Sequence, residues 1–464
     1  MWFIAVILSL IVKSEPSGII TSTINAFQLN GKYYPNIDDI FRSNAINYGR
    51  VVDKWSDIVF EEFNIYKIDN MNIYITDGVL SPKEGRRSST VTRLSKDSGT
   101  QSKPSSFFGC STGTLGVLTC NSSGQVRYVP MKMWFSQGFR PMTEWQGTPC
   151  EYAKMPTEQQ EIEMAGLDFL KRNEDSVILA DRASMSHNSF DRVAKLRDKS
   201  PKNIWLLTCC KSNTVAYTFP DSMPEQKGPG RPKLIGDRVA LGPKGDANRN
   251  FKTATIEIYN RKEKVKYWSE VLLWGRKKRR KLRFVICMMS DGRRIILATD
   301  KLDMDPLTAI KLYSCRFLCE EGFKVLKHTF YAFDYHFWSK SMPWNSFMRK
   351  SGDPHPLESV TDKASQEMIM KEFRASTLAL QMACIAHGVV QFIAQDQEVG
   401  GLVQRYTYKR TATKIKVSEH DVCTFLSKNL DMAMRLPKYK DVPFIRFIKA
   451  RQRCEDINEI CAVI

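Results

Sequence analysis

Residues 313–327 read YSCRFLCEEGFKVLK, and Tyr313, Arg316, Glu320 and Lys327 occupy offsets 0, 3, 7 and 14 of that run. At about 100° per residue these four side chains fall within roughly 60° of arc on one helix face. A tyrosine, an arginine, a carboxylate and a lysine are thereby aligned over about 21 Å. Such a face can set an acid among groups that hold phosphates, and a solvated amphipathic helix carries the same residue types. Leu312, Phe317, Phe323 and Leu326 lie at other positions and are expected to supply the packing. The spacing predicts one helix over residues 307–330, opened by Asp305 and by Pro306 at its first position.

Upstream, two segments each deliver an aspartate from a strand. In MNIYITD (residues 71–77), Met71, Ile73, Ile75 and Asp77 share one parity, so Asp77 is expected at a strand end. In VILADR, the apolar run 177–180 ends on Asp181. A helix rich in Glu and Gln is expected over 156–172, with strands at 114–120 and 126–135. Residues 81–106, rich in Ser, Thr, Lys, Arg and Gly, read as a long exposed loop. From 203 to 299 the runs IWLLTCC, TATIEIYN, LRFVICMM and RIILAT predict a β-rich stretch, either inserted or continuing the sheet. Helical spacing prevails over residues 1–68 and again in the C-terminal region. The fold class is α/β, and the expected domains are 1–68, 69–345 with its β-rich insertion at 203–299, and 346–464.

Hard divalent ions take oxygen ligands, and two-metal phosphodiester chemistry needs carboxylates converging from different elements. Asp77, Asp181 and Glu320 can supply that set. Together with the Tyr-(2)-Arg-(3)-Glu-(6)-Lys spacing of residues 313–327, they resemble the DDE transposases of bacterial insertion sequences. The likeness extends to SPKEGRR (81–87), GRPK (230–233), TDKLDMDP (299–306) and YHFWSKSMP (335–343), and covers roughly residues 1–430. It departs at Gly78, where many relatives carry Asp or Thr, and at Cys319, where a larger apolar residue is usual.

The resemblance implies an RNase H-like core that cleaves DNA at element ends and transfers the strand. Two Mg²⁺ ions would be held by Asp77, Asp181 and Glu320, with Mn²⁺ as a substitute. Tyr313, Arg316 and Lys327 would grip phosphates, with Arg182, Lys83, Arg86 and Arg87 as further contacts. The implied partner is double-stranded DNA, both terminal inverted repeats and target, bound by a homodimer in the bacterial cytoplasm with no membrane involved. Residues 1–68 would be an N-terminally shortened DNA-binding region, and a catalytically inactive DNA-binding remnant is the alternative.

Lysine and arginine total 69 against 50 acidic residues, a formal charge of +19, which suits nucleic acid and would suit an anionic membrane surface too. The absence of about eighteen consecutive apolar residues argues against an integral membrane protein. MWFIAVILSLIV at residues 1–12 lacks a basic leading region and a small-residue cleavage site. It reads as a buried helix ended by Pro16 and Gly18, with a secretory signal as the competing reading. Twelve cysteines without a CxxC frame and six histidines without ligand spacing point to a reducing compartment and to neither a disulfide scaffold nor a zinc site. RKKRRK (276–281), preceded by Trp268 and Trp274, is either a charged platform for an unpaired base or a hairpin loop exposing its charge. Asp300, Asp303 and Asp305 are read as turn and cap residues.

Overall fold

Helices open the chain in the computed structural model: α1 (Trp2–Val12), α2 (Ile19–Ala26), α3 (Tyr34–Arg42) and α4 (Tyr48–Glu62). The strands β1 (Lys67–Ile68), β2 (Met71–Pro82), β3 (Thr92–Ser95), β4 (Ser106–Cys120) and β5 (Val126–Phe135) follow. Next come α5 (Thr157–Arg172), β6 (Ser176–Ala180), α6 (His187–Arg197), β7 (Ile204–Cys209), β8 (Val215–Tyr217) and β9 (Arg238–Ala240). β10 (Lys252–Ile258), β11 (Arg261–Trp274), β12 (Arg280–Met288) and β13 (Arg294–Thr299) lead into α7 (Pro306–Cys315) and α8 (Phe317–His328). α9 (Lys363–Gln395), α10 (Gln397–Tyr406), α11 (Glu419–Arg435) and α12 (Pro443–Lys449) complete the order. The structure describes all but residues 14–15, 96–105, 123, 146–150, 221–233, 259–260, 347–352, 407–416 and 454–464, so GRPK (230–233) lies outside the described residues.

Two compact units result, each assembled from separate stretches of chain. One joins Tyr66–Asp77 to Pro156–Glu320, and the other joins Met1–Ile65 and Gly78–Met155 to Glu321–Ile464. They cut across the consecutive segments 1–68, 69–345 and 346–464, because N-terminal α4 and C-terminal α9 both pack on β5.

In the first unit β2, β6 and β7 run parallel, with Ile75 opposite Leu179 and Leu179 opposite Leu207. Parallel strands are covered on both faces, and accordingly all of β6 and residues 71–76 of β2 are buried. The alternation read in MNIYITD is thus not one of burial, since Asn72, Tyr74 and Thr76 are as inaccessible as Ile73 and Ile75. β13 joins β7 antiparallel, and β12, β11 and β10 continue outward. Of the two readings of residues 203–299, this is the one in which the stretch continues the sheet. The buried Asp300 carboxylate accepts from the Leu206 N–H at 2.9 Å and from Arg197, and Asp305 caps α7 by accepting from the Thr308 N–H at 2.8 Å. RKKRRK spans the turn between β11 and β12 and the first two residues of β12, with Lys278 and Arg280 both paired to Asp191. Trp274 stacks on His187 with centroids 4.2 Å apart, and the Arg249 guanidinium lies 4.6 Å from the Trp268 ring, so each indole already has a partner on one face.

The second unit is built on the β4–β5 hairpin and α9. Among the described residues β5 pairs only with β4, which leaves its far edge to be satisfied by side chains. Trp55 Nε1 donates to the Pro130 carbonyl at 3.0 Å and the Tyr48 hydroxyl to that of Met133 at 2.7 Å. Gln381 of α9 works in both directions: its Nε2 donates to the Met131 carbonyl at 2.9 Å and its Oε1 accepts the Met133 N–H at 3.2 Å. By length and composition α9 could cross a membrane, but 83% of its apolar stretch is buried inside the protein. α1 packs against α2 and α9, burying Ala5, Val6, Leu10 and Ile11.

Residues 81–106 are not the exposed loop that their composition suggests. Ser88, Ser89, Thr90 and Val91 are buried, β3 begins at Thr92, and residues 96–105 lie outside the described structure. The reason is Glu372 of α9, itself fully buried. One of its oxygens accepts from Ser88 Oγ at 2.7 Å and Ser376 Oγ at 3.2 Å; the other accepts from the Ser89 N–H at 3.0 Å and Ser89 Oγ at 2.6 Å. Burial pushes the Glu372 carboxyl up while these donors pull it down. Glu372→Ala strands the two buried donors of Ser89 and leaves Ser88 Oγ only its Thr90 partner, and a loss of about 2–4 kcal/mol in urea unfolding is expected, with Glu372→Gln costing less.

Candidate functional site

Strand register brings Asp77 and Asp181 together. Ile75 faces Leu179 across the parallel pair, the last pair of that ladder, and Asp77 and Asp181 each lie two residues beyond it, where both charges act on Arg316. Asp181 directly follows β6, as expected, and the Thr208 hydroxyl holds that turn by donating to the Asp181 carbonyl at 2.7 Å. Asp77, in contrast, is not at a strand end, because β2 runs on to Pro82. What stops before Asp77 is the pairing with β6. Both acids therefore stand where ligands collect in α/β sheets, past the carboxyl ends of the paired parallel segments.

Glu320 arrives from the helices. The single helix expected over 307–330 is instead α7 and α8, with Arg316 between them. The Arg316 N–H bonds to the Tyr313 carbonyl and the Cys319 N–H to that of Arg316, three-residue steps that tighten the helix locally. Leu312, Phe323 and Leu326 are buried as expected, whereas Phe317, next to the break, is 45% exposed.

At that break the Arg316 guanidinium donates to Asp77 Oδ2 and to Glu320 Oε1, both at 2.5 Å. Two such bonds from one planar fork keep those oxygens within roughly 7 Å of each other. The Arg316 side chain is 16% exposed. Burial works to lower its pKa, yet Asp77, Tyr313, Asp181 and Glu320 outweigh it and hold the guanidinium above the ordinary arginine value. Tyr313 sits in the same field: burial raises its phenol, the neighbouring Cys209 adds to this, and Arg316 opposes it.

A fourth carboxyl escaped the sequence reading. Glu161 of α5 is 8% exposed and faces Asp77 and Asp181. Burial, followed by those two charges and Glu158, raises its pKa well above the usual carboxylate range. A signal existed, since Glu161 shares a helix face with Met164, Ala165 and Phe169, all buried, and so occupies a core position. The sign of its effect follows from linkage. The folded chain keeps the Glu161 proton where the unfolded chain has lost it, so folding is progressively disfavoured as pH rises from about 4.3 through the folded pKa. Glu161→Gln removes that slope. In EDTA, the variant should match the parent near pH 4 and melt about 2–4 °C higher near pH 8; equal melting temperatures at both pH values would contradict it.

Of the other basic residues named from the sequence, Arg182 lies exposed in the turn after Asp181. Lys83, Arg86, Arg87 and Lys327 belong to the other unit. There Lys83 donates to the carbonyls of Phe333 and Tyr335 at 2.6 Å each, and its ammonium lies 3.8 Å from the Tyr335 ring centre. Arg87 donates to the Lys340 carbonyl at 2.8 Å, and the Arg86 guanidinium lies 5.5 Å from the Trp344 ring. SPKEGRR is thus held against YHFWSKSMP and the tryptophan just beyond it, and the Lys83 charge is used internally.

Asp77, Glu161, Asp181 and Glu320 are oxygen donors of the kind that Mg²⁺ takes, and a cation already lies among them in the form of Arg316. As the side chains stand, no three described His, Cys, Asp or Glu residues are grouped to hold a metal ion. Comparison of the chain with protein-family models, curated proteins and solved structures returns no match.

Proposed function

We propose that this protein is a DNA strand-transferase of the DDE transposase type, with an RNase H-like core. The observation that carries the reading is the Arg316 guanidinium joining Asp77 of β2 to Glu320 of α8, with Asp77 and Asp181 each two residues past the Ile75–Leu179 pair. Three acids distant in sequence thereby belong to one unit, two just past paired parallel strands and one on a helix turn, and all three act on the Arg316 charge. The chain order agrees: strand β2, hairpin β4–β5, helix α5, strand β6, helix α6 and strand β7, then a β-rich stretch before the helix that bears Glu320.

In this reading Asp77, Asp181 and Glu320 hold two Mg²⁺ ions, which when bound supply positive charge to the attacking and leaving oxygens. Arg316 and Arg182 carry fixed charge and planar donor geometry suited to phosphate oxygens; such contacts position a strand without reading its sequence. The test is incubation of the protein with supercoiled plasmid carrying the DNA that flanks its gene. Nicked circles that require Mg²⁺ or Mn²⁺, and vanish in EDTA, are expected. Tight binding of that DNA with no nicks under either ion would overturn the enzymatic reading in favour of a DNA-binding remnant.

A further inference from the structure

Arg316 stands where a divalent ion would have to approach Asp77 and Glu320. Its guanidinium uses one oxygen of each carboxylate in a charge-assisted hydrogen bond of 2.5 Å. A divalent cation drawn to the same oxygens would meet a positive charge fixed within a few ångströms, and the two cations cannot share that position without strong repulsion.

We propose that Arg316 is an internal counter-ion which plugs the acidic site in the DNA-free protein, and that a DNA phosphate draws it off so that metal ions can enter. This rests on the strand-transferase reading and adds to it an order of events. The geometry suits an exchange. Arg316 lies at the break between α7 and α8, where the three-residue steps interrupt the regular ladder and leave a place at which the backbone can adjust. A phosphate offers the guanidinium two oxygens in place of the one it takes from each carboxylate, so the arginine exchanges partners without losing its donors' bonds. The two carboxylates released in the same movement are oxygen ligands for the ions. Free protein would bind metal weakly, and DNA and metal would then bind cooperatively. By linkage each must raise the affinity for the other by the same factor.

The experiment is Mn²⁺ titration of the full chain, by calorimetry or by the spin-resonance signal of free Mn²⁺, with and without a short duplex from the flanking DNA. For the parent protein the duplex should tighten Mn²⁺ binding about tenfold or more. Arg316→Gln, which keeps most of the side chain's length without its charge, should bind Mn²⁺ about tenfold tighter than the parent in the absence of DNA. It should also gain nothing further from the duplex. Arg316→Lys, whose single ammonium cannot fork between both acids, should fall between the two. Two results would overturn the plug: a folded Arg316→Gln protein that binds Mn²⁺ no more tightly than the parent, or parent protein whose Mn²⁺ affinity is unchanged by DNA. The second needs no variant, so a variant that fails to fold does not shield the idea. Nicking without cooperativity would remove the plug alone, whereas absence of nicking with intact cooperativity would remove the enzymatic reading.

Discussion

Asn in place of Asp77 or Asp181, or Gln in place of Glu320, is expected to lower metal-dependent nicking by at least about 10³-fold, roughly 4 kcal/mol of transition-state stabilisation. Each amide keeps the volume and one carbonyl oxygen but removes the charge that a hard divalent ion needs. The three should separate in stability. Asp77→Asn and Glu320→Gln each weaken a charge-assisted bond to Arg316, whose burial makes the loss felt, so both should also unfold at lower urea. Asp181 is exposed and acts on Arg316 through its charge, with no hydrogen bond between them among the described residues, so Asp181→Asn should cost less stability than the other two while losing activity. Single-turnover nicking of end-bearing plasmid, read on a gel beside urea curves for the same preparations, measures both. Residual nicking within tenfold of the parent for any of the three would remove that acid from the site.

Gly113→Val should strongly destabilise the β4–β5 hairpin, costing about 3 kcal/mol or more. Gly113 is directly opposite Trp134 in the strand register, and a β-carbon placed on it would lie 2.3 Å from the indole. Trp134 is fully buried and cannot tip away without opening the core. The same device recurs at Gly116, whose β-carbon would lie 2.4 Å from the Tyr128 ring, beside the register shift between Leu115 and Gly116. Trp134→Ala, which vacates the space that Gly113 leaves open, should cost roughly 3–5 kcal/mol by leaving a cavity. Urea unfolding followed by tryptophan fluorescence and by circular dichroism reads both variants. Near-parental stability of Gly113→Val would mean that the ring is free to move.

Local pattern was enough for the elements that carry the acids. The apolar run before Asp181 is β6, the Glu- and Gln-rich segment is α5, and Asp305 with Pro306 does open the helix of Tyr313. Local pattern misled where the partner was remote. Residues 81–95 look like an exposed loop because serine and threonine usually face water; their hydroxyls are instead drawn to a carboxylate on α9, some 280 positions away, that no local window contains. Glu161 was missed for the converse reason, as a charged residue among glutamates and glutamines reads as a solvated face until the helix is seen to turn it inward.

From residue types and spacing alone came the α/β class, the candidate acids Asp77, Asp181 and Glu320, and the alignment of Tyr313, Arg316 and Glu320, because helical and strand periods are properties of a few neighbouring residues. Only the tertiary structure paired the strands that lead to Asp77 and Asp181, showed β2 continuing past its acid, broke the signature helix at Arg316 and set that guanidinium between two carboxylates. The Arg316–Asp77 pair alone joins segments 239 residues apart. Register and charge pairing are settled by which surfaces can be buried together and which charges must then be neutralised, and that competition takes place only in the folded chain.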